Sequence, residues 1–426
     1  MTSSDASINN HGNGPQNVHT GDGSQYNNND KGTLFINCTF HGNCLFSLSF
    51  QNMEARKEDV SFAHPKTCDW FFETGQFQQW CRRDNTLNHN GVLWIKGHPG
   101  TGKSTLMKHT LRHFEQQNIY GKQIVAAHFF NAQGSSLDKS SLGMLRSLLY
   151  QLLEKEASMY ERFAPLFRDK WRKYRNNWEW QESELKNFLL LEIQRYHPRP
   201  LIILVDALDE CSESQMRDVV EFLEELSTIA YTAKAAVSIC LSSRHYPHIG
   251  MKRHMELVVE KTSEHDEDII IYIRDKLTNR DGQIEKELLQ KASGIFLWVV
   301  LVIKKLNKAY DEGQMEAMHN VIHDVPCDLE HVFKRLLNKG NSDKQETIFM
   351  LRCVLLARRP LRPEELYFAM LVETNPAKAN AWNRSNTTQD NIQRRIINSS
   401  RGLVETQNSR QALYATVMSP AVRRTL

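Results

Sequence analysis

Between residues 92 and 116 the chain spells an apolar run, a glycine-rich turn and a stretch of helical periodicity, and few folds accept that order. Val92-Leu93-Trp94-Ile95-Lys96 reads as a buried strand. Gly97-His98-Pro99-Gly100-Thr101-Gly102-Lys103-Ser104 follows at once and fits G-x-x-x-x-G-K-[ST] at every position. Ser104 to Gln116 then places Leu106, Met107, Leu111 and Phe114 on one helical face. A loop that wraps phosphate oxygens must present backbone N–H groups, and side chains would obstruct that approach, so the pattern needs its glycines. In this reading Lys103 sets a point charge on the β- and γ-phosphates and Ser104 gives a hydroxyl to Mg2+. The helix adds the positive end of its dipole. Gly97, His98, Pro99, Gly100, Thr101, Gly102, Lys103, Ser104 and Thr105 are therefore the expected nucleotide-binding residues. ATP and GTP stay equally open, because such a loop reads phosphates alone.

The expected partner is Leu201-Ile202-Ile203-Leu204-Val205-Asp206. Five apolar residues in a row suit a parallel strand buried on both faces. A carboxylate at the tip of such a strand is costly unless a cation meets it. Asp206 is expected to meet Mg2+ through water, from a strand beside that of the loop. Asp209 and Glu210 follow, where either could orient an attacking water; the alternative is that both face solvent. Arg244 comes after the strand Ala235 to Leu241 and Ser242-Ser243, at the end of the sheet where ligands bind. It either senses a γ-phosphate or is only solvated.

Further segments read as strands at Gln123 to Phe130 and Leu257 to Glu260. Helices are expected at Ser183 to Tyr196 and Gln215 to Ile229, and a leucine stripe (Leu142, Leu145, Leu149, Leu152, Leu153) marks another. Alternating strands and helices predict a parallel sheet with crossover helices. After Asp266 no strand is expected. Ile269 to Leu277, Lys286 to Ala292, Phe296 to Leu306, Leu329 to Leu337 and Thr347 to Leu356 read as helices, with another from near Glu364. Residues 374 to 400, rich in Asn and Thr, read as a surface loop.

The first thirty residues hold seven Asn and four Gly with almost no aliphatics, which predicts disorder in the monomer. Gly12-Asn13-Gly14-Pro15-Gln16 recurs nine residues later as Gly21-Asp22-Gly23-Ser24-Gln25. Such tracts can stack their amides in cross-β fibrils, or serve only as a flexible leader. The chain of 426 residues carries a net charge of +3, too near balance to argue for nucleic acid or an anionic membrane as main partner. Its longest apolar run, Gly294 to Ile303, is shorter than the about 20 residues a bilayer requires and reads as a buried helix. No secretory signal is read at the start. The eight cysteines include no CxxC pair, which suits reduced cytoplasmic thiols. Cys38, His41, Cys44, His64 and Cys68 do not form the two close pairs usual for structural zinc. Trp171, Trp178 and Trp180 lie among basic residues, a pattern that can stack nucleic-acid bases, but flanking acids favour packing.

From about Cys44 to Leu426 these motifs resemble the NACHT family of STAND NTPases, in the version found in fungal NOD-like receptors. Gly97 to Thr105 resembles the family's phosphate loop. Asp206-Ala207-Leu208-Asp209-Glu210 resembles its second motif, with acids three and four places after the magnesium aspartate. Ser242-Ser243-Arg244 resembles its sensor strand, and Ala292 to Trp298 a helix of the fungal members. Thr67-Cys68-Asp69-Trp70 and Phe77 to Trp80 resemble the lead-in to its nucleotide-binding domain. The N-terminal repeat is similar to amyloid signalling motifs that template an effector carrying a matching segment. The resemblance implies an α/β P-loop NTPase domain followed by a helical domain with a winged-helix-like end. The expected divisions are 1–33 (disordered leader), 34–90 (lead-in), 91–262 (nucleotide-binding), 263–340 (helical) and 341–426 (winged-helix-like, truncated). It implies a signalling switch that self-oligomerises and hydrolyses ATP or GTP slowly, in self/non-self recognition or programmed cell death. Two features depart from the family: no repeat domain follows, and Ser419 stands where a histidine contacts ADP. The alternative is a non-switching scaffold that binds nucleotide for stability.

Overall fold

The computed structural model describes residues 8–9, 16–20, 24–28, 34–35, 37–117, 122–175, 177–195, 199–245, 250–278, 282–313, 322, 344–357, 359, 361–374, 388–399, 404–408 and 413–417. The helix expected at Leu329 to Leu337, and Ser419, lie outside them. The chain divides into two compact units, Met1–Gln51 with Leu145–Glu192, and Asn52–Met144 with Ile193–Leu426.

The first unit includes the described stretches of the Asn/Gly-rich leader. Four short strands, β1 (Ile8–Asn9), β2 (Gln16–Thr20), β3 (Ser24–Asn28) and β4 (Leu34–Phe35), pair antiparallel in sequence order. Gln16 stands opposite Asn28, and Thr20 opposite Ser24. The helix Asn37–Leu48 has no basic residue in its last turn. Arg146 supplies the missing donors, reaching the carbonyls of Leu48 (3.0 Å), Ser47 (3.2 Å) and Ser49 (2.6 Å). Phe163, on the helix Ala157–Tyr174, packs its ring 4.9 Å from Trp180 and 4.8 Å from Phe188.

The second unit is built on five parallel strands: β5 (Val92–Lys96), β6 (Ile124–Phe129), β7 (Leu201–Asp206), β8 (Val237–Ser243) and β9 (Met255–Val258). All residues of β6, β7 and β8 are buried, as a sheet covered on both faces demands. The helix Lys103–Gln117 sets Leu106, Met107, Leu111 and Phe114 into the core with Leu93 and Ile95. From the lead-in, Phe71, Phe77 and Trp80 join the same core. Trp80 also donates its indole N–H to the carbonyls of Gly91 (2.9 Å) and Ile239 (3.1 Å).

The strand order is β6-β7-β8-β5-β9. This corrects the expectation that Asp206 ends a strand beside that of the loop, because β8 lies between β7 and β5. Local periodicity cannot reveal strand order, since β5, β7 and β8 are all apolar runs of similar length. Register still brings their ends level: Lys96 pairs with Ser243, and Val205 with Leu241.

Beyond β9 come the helices Ser263–Lys276, Gly282–Ala292 and Phe296–Asp311. The last holds most of the long apolar run, with Trp298, Val299 and Val302 buried. The helices Lys344–Leu356, Pro363–Thr374 and Gln389–Ser399 precede an antiparallel hairpin, β10 (Val404–Asn408) with β11 (Leu413–Val417). Two expectations are corrected here. Part of the supposed 374–400 loop is helical, because Ile392 and Ile396 lie one turn apart and are buried. Strands also exist after Asp266, each only five residues long and without a continuous apolar run flanked by turn signals. Among the described residues no helix is long and apolar enough to cross a membrane.

Candidate functional site

The turn after β5 is held by its own backbone. Thr101 Oγ1 donates to the His98 carbonyl (3.0 Å), and Leu106 N–H to the Gly102 carbonyl (2.9 Å) as the helix begins. Gly102 has φ +92°, a conformation that L side chains resist. A Cβ at Gly97 would come within 2.6 Å of Glu260 Oε2 and 2.9 Å of Thr101 Oγ1, so those side chains would have to shift. Lys103 is buried, and its Nζ donates to the carbonyls of Gly97 and His98, 2.8 Å each. Burial pushes its pKa down to about 8, opposed by the charges of Asp209, Asp206 and Glu260. Ser104, Thr105 and Pro99 are half-buried around it.

Asp206 is fully buried at the end of β7. Ser242, on the intervening strand β8, donates its hydroxyl to Oδ1, whereas Oδ2 has no hydrogen-bond partner. Burial pushes the carboxyl pKa up, and the Ser242 and Ser104 hydroxyls pull it down. An orphaned carboxylate oxygen in the core costs free energy until a cation or donor reaches it. Asp206 and Ser104 thus offer oxygen ligands that fit Mg2+.

The two acids after Asp206 have separate commitments. Asp209 pairs with Arg244: Oδ2 lies 2.7 Å from Nε, and Oδ1 accepts the Arg244 N–H at 3.0 Å. Glu210 takes the guanidinium of Arg56 on Oε1 (3.1 Å) and the Ala132 N–H on Oε2 (2.8 Å). Burial raises its pKa, against the lowering by Arg56. Neither acid faces open solvent. The structure therefore brings Lys103, Asp206, Asp209 and Arg244 to one edge of the sheet and turns Glu210 toward the lead-in helix Ala55–Asp59.

Arg56 and Glu260 were not singled out from sequence. Arg56 sits in a charged stretch, Ala-Arg-Lys-Glu-Asp, with no pattern to distinguish it. Glu260 was legible in principle, since it is a carboxylate just beyond an apolar strand, the signal that found Asp206. The tryptophan cluster packs, as its acidic flanks suggested. Trp180 is buried and donates to Ser47 Oγ (3.1 Å), and Lys170, paired with Glu184, lies 5.3 Å from the Trp178 and Trp180 rings. Of the five residues weighed for zinc, His64 is turned to Asp275, 3.0 Å from its Oδ2.

No curated protein matches the chain. Among solved structures it is similar to a Drosophila origin recognition complex (ORC) chain bound to DNA, at 14% identity over 91% of each chain, TM-score 0.38. It is similar to Cdc6p of Pyrobaculum aerophilum at 10% identity, over 87% of this chain and 95% of that one, TM-score 0.39. A signal transduction ATPase with numerous domains (STAND) with a tetratricopeptide-repeat sensor, from Pyrococcus horikoshii, matches at 13% identity over 81% of this chain and 41% of that one, TM-score 0.37. The strand order, the loop after β5 and the helix it opens make this a P-loop NTPase fold, and residues 66–244 of it match the family model described as Nephrocystin 3, N-terminal.

Proposed function

We propose that the chain is a nucleotide-operated signalling switch of the NACHT type. The observation that carries the reading is the unpartnered, buried Oδ2 of Asp206 at the sheet edge that also holds Lys103 and Ser104. ATP or GTP would lie along Gly97 to Thr105, with the backbone N–H groups and the helix dipole receiving its phosphates. Lys103 would exchange the carbonyls of Gly97 and His98 for β- and γ-phosphate oxygens. Ser104 and Asp206 would hold Mg2+, which neutralises phosphate charge when bound. Arg244 is paired with Asp209, and a γ-phosphate would compete for it, freeing Asp209 to orient water. Glu210, committed to Arg56 and Ala132, would couple the lead-in to the same edge, so hydrolysis would be slow.

The finer reading follows the resemblance to fungal NOD-like receptors. In it the chain is cytoplasmic, self-oligomerises on nucleotide exchange and gathers its N-terminal segments. Those segments would template an effector with a matching amyloid motif, in self/non-self recognition or programmed cell death. The paired N-terminal strands support a role in backbone association. A second reading, a scaffold that binds nucleotide for stability only, is favoured by Lys103, Asp209 and Glu210 all having protein partners already. Light scattering and phosphate release with ADP and with a non-hydrolysable triphosphate separate the two. The switch requires larger assemblies with the triphosphate, and equal sizes with both nucleotides would leave the scaffold.

A further inference from the structure

We propose that His98, His245 and Glu260 form a transition-metal site of the Zn2+ class that fastens the phosphate loop to the neighbouring strand ends. The three residues come from separate segments: His98 from the loop, His245 from just after β8, and Glu260 from just after β9. Their ligand atoms all lie within 4.8 Å of one another. One carboxylate oxygen, Glu260 Oε1, is 2.6 Å from His245 Nε2 and 3.6 Å from His98 Nε2. The imidazole centroids are 5.0 Å apart. Zn2+ with bonds of about 2.0–2.1 Å in tetrahedral geometry holds its donors about 3.3 Å apart. Small side-chain rotations reach that spacing.

A hydrogen bond between His245 and Glu260 explains one imidazole. It leaves unexplained why a second turns its nitrogen toward the same oxygen from beyond hydrogen-bond reach. Two imidazoles and one carboxylate are the donor set of open zinc sites, which keep a fourth position for water. Glu260 is held in place for the role. Its side chain is 8% exposed, its Oε2 accepts the His98 N–H at 3.3 Å, and its Cβ would lie 2.6 Å from any Cβ at Gly294. The imidazoles are 58% and 38% exposed for His98 and His245, so an ion can enter from solvent and find a fixed carboxylate.

The His98 carbonyl also accepts a hydrogen bond from Lys103. Metal bound through His98 therefore favours the loop form in which the lysine faces its own backbone, and opposes nucleotide binding. The test is titration of the untagged full chain, without nucleotide, by Zn2+ calorimetry and by Co2+ visible absorption. The expected result is one saturable equivalent with the ligand-field bands of tetrahedral Co2+. His98→Ala, whose side chain is mostly exposed, and His245→Ala should each lose that equivalent while keeping the wild-type circular dichroism and melting temperature. Absence of the equivalent in the wild-type chain, or its survival in both folded variants, overturns the proposal. The readout uses no nucleotide, so it stands or falls apart from the switch.

Discussion

Lys103 satisfies its charge on the loop that carries it, and burial has already lowered its proton affinity. Phosphate oxygens would replace two carbonyls with full negative charge. Two charge-assisted hydrogen bonds are worth about 3 kcal/mol or more together, roughly a hundredfold in affinity. Lys103→Ala is therefore expected to weaken nucleotide binding about a hundredfold or more in calorimetry while the fold survives, and unchanged affinity would remove the assignment. Asp206→Asn is expected to weaken binding only when magnesium is present. At Glu210 the consequence is structural. Removing Arg56 leaves a buried carboxylate facing only the Ala132 N–H, and such losses cost about 3–5 kcal/mol in a closed core. Arg56 is 28% exposed, so about 1–3 kcal/mol is the expected cost of Arg56→Ala in urea unfolding. A variant as stable as wild type would mean that the pair has no structural role. Lys103 and Asp206 were legible because strand, turn and helix frame them locally. Arg56 lies 154 residues from Glu210, and Glu260 lies 162 residues from His98, too far for any sequence period to connect.

Among the elements, continuous apolar runs were read correctly, whereas segments that mix apolar with polar residues were not. The helix Gln389–Ser399 buries Ile392 and Ile396 between Asn and Arg residues, and Arg395 and Ser399 both hold Glu346 (2.8 and 2.7 Å). Ile396→Ala is expected to cost about 2–4 kcal/mol, with loss of helical circular dichroism at lower urea. An unshifted midpoint would mean that this helix is peripheral to the core it shares with Trp298, Met350 and Leu366. The N-terminal strands allow a different test. In the hairpin Gln16 faces Asn28 and Gln25 faces His19, whereas fibril layers can set Gln16 above Gln25 through the nine-residue repeat. A peptide of residues 8–32 is expected to form fibres with a ~4.7 Å meridional reflection. Gln16→Lys with Gln25→Lys should block them by stacking like charges, yet it places no lysine opposite another in the hairpin. If the double variant assembles as readily as wild type, stacked amides are not what drives assembly.

Within the second unit, a hydrogen bond joins the phosphate loop to the helices beyond the sheet: the Leu297 N–H donates to the Gly100 carbonyl at 2.9 Å. Gly100 lies inside the loop, with φ +82°. A rearrangement of the loop around phosphates can reach the start of the helix Phe296–Asp311 through this bond. Nucleotide is thus expected to change hydrogen-exchange protection across residues 295–299, and a pattern indifferent to nucleotide would argue against transmission by this route. What the sequence by itself determined was local: the loop, the buried strands around it, the carboxylate at the tip of β7 and the apolar helix at 296–306. These follow from side-chain periodicity and from the few residues that a phosphate-binding turn tolerates. Only the tertiary structure decided which carboxylate meets which arginine, that β8 with Ser242 stands between the loop strand and Asp206, and that two imidazoles share Glu260. Those outcomes depend on strand order and long-range register, and the same apolar runs would satisfy several orders equally well.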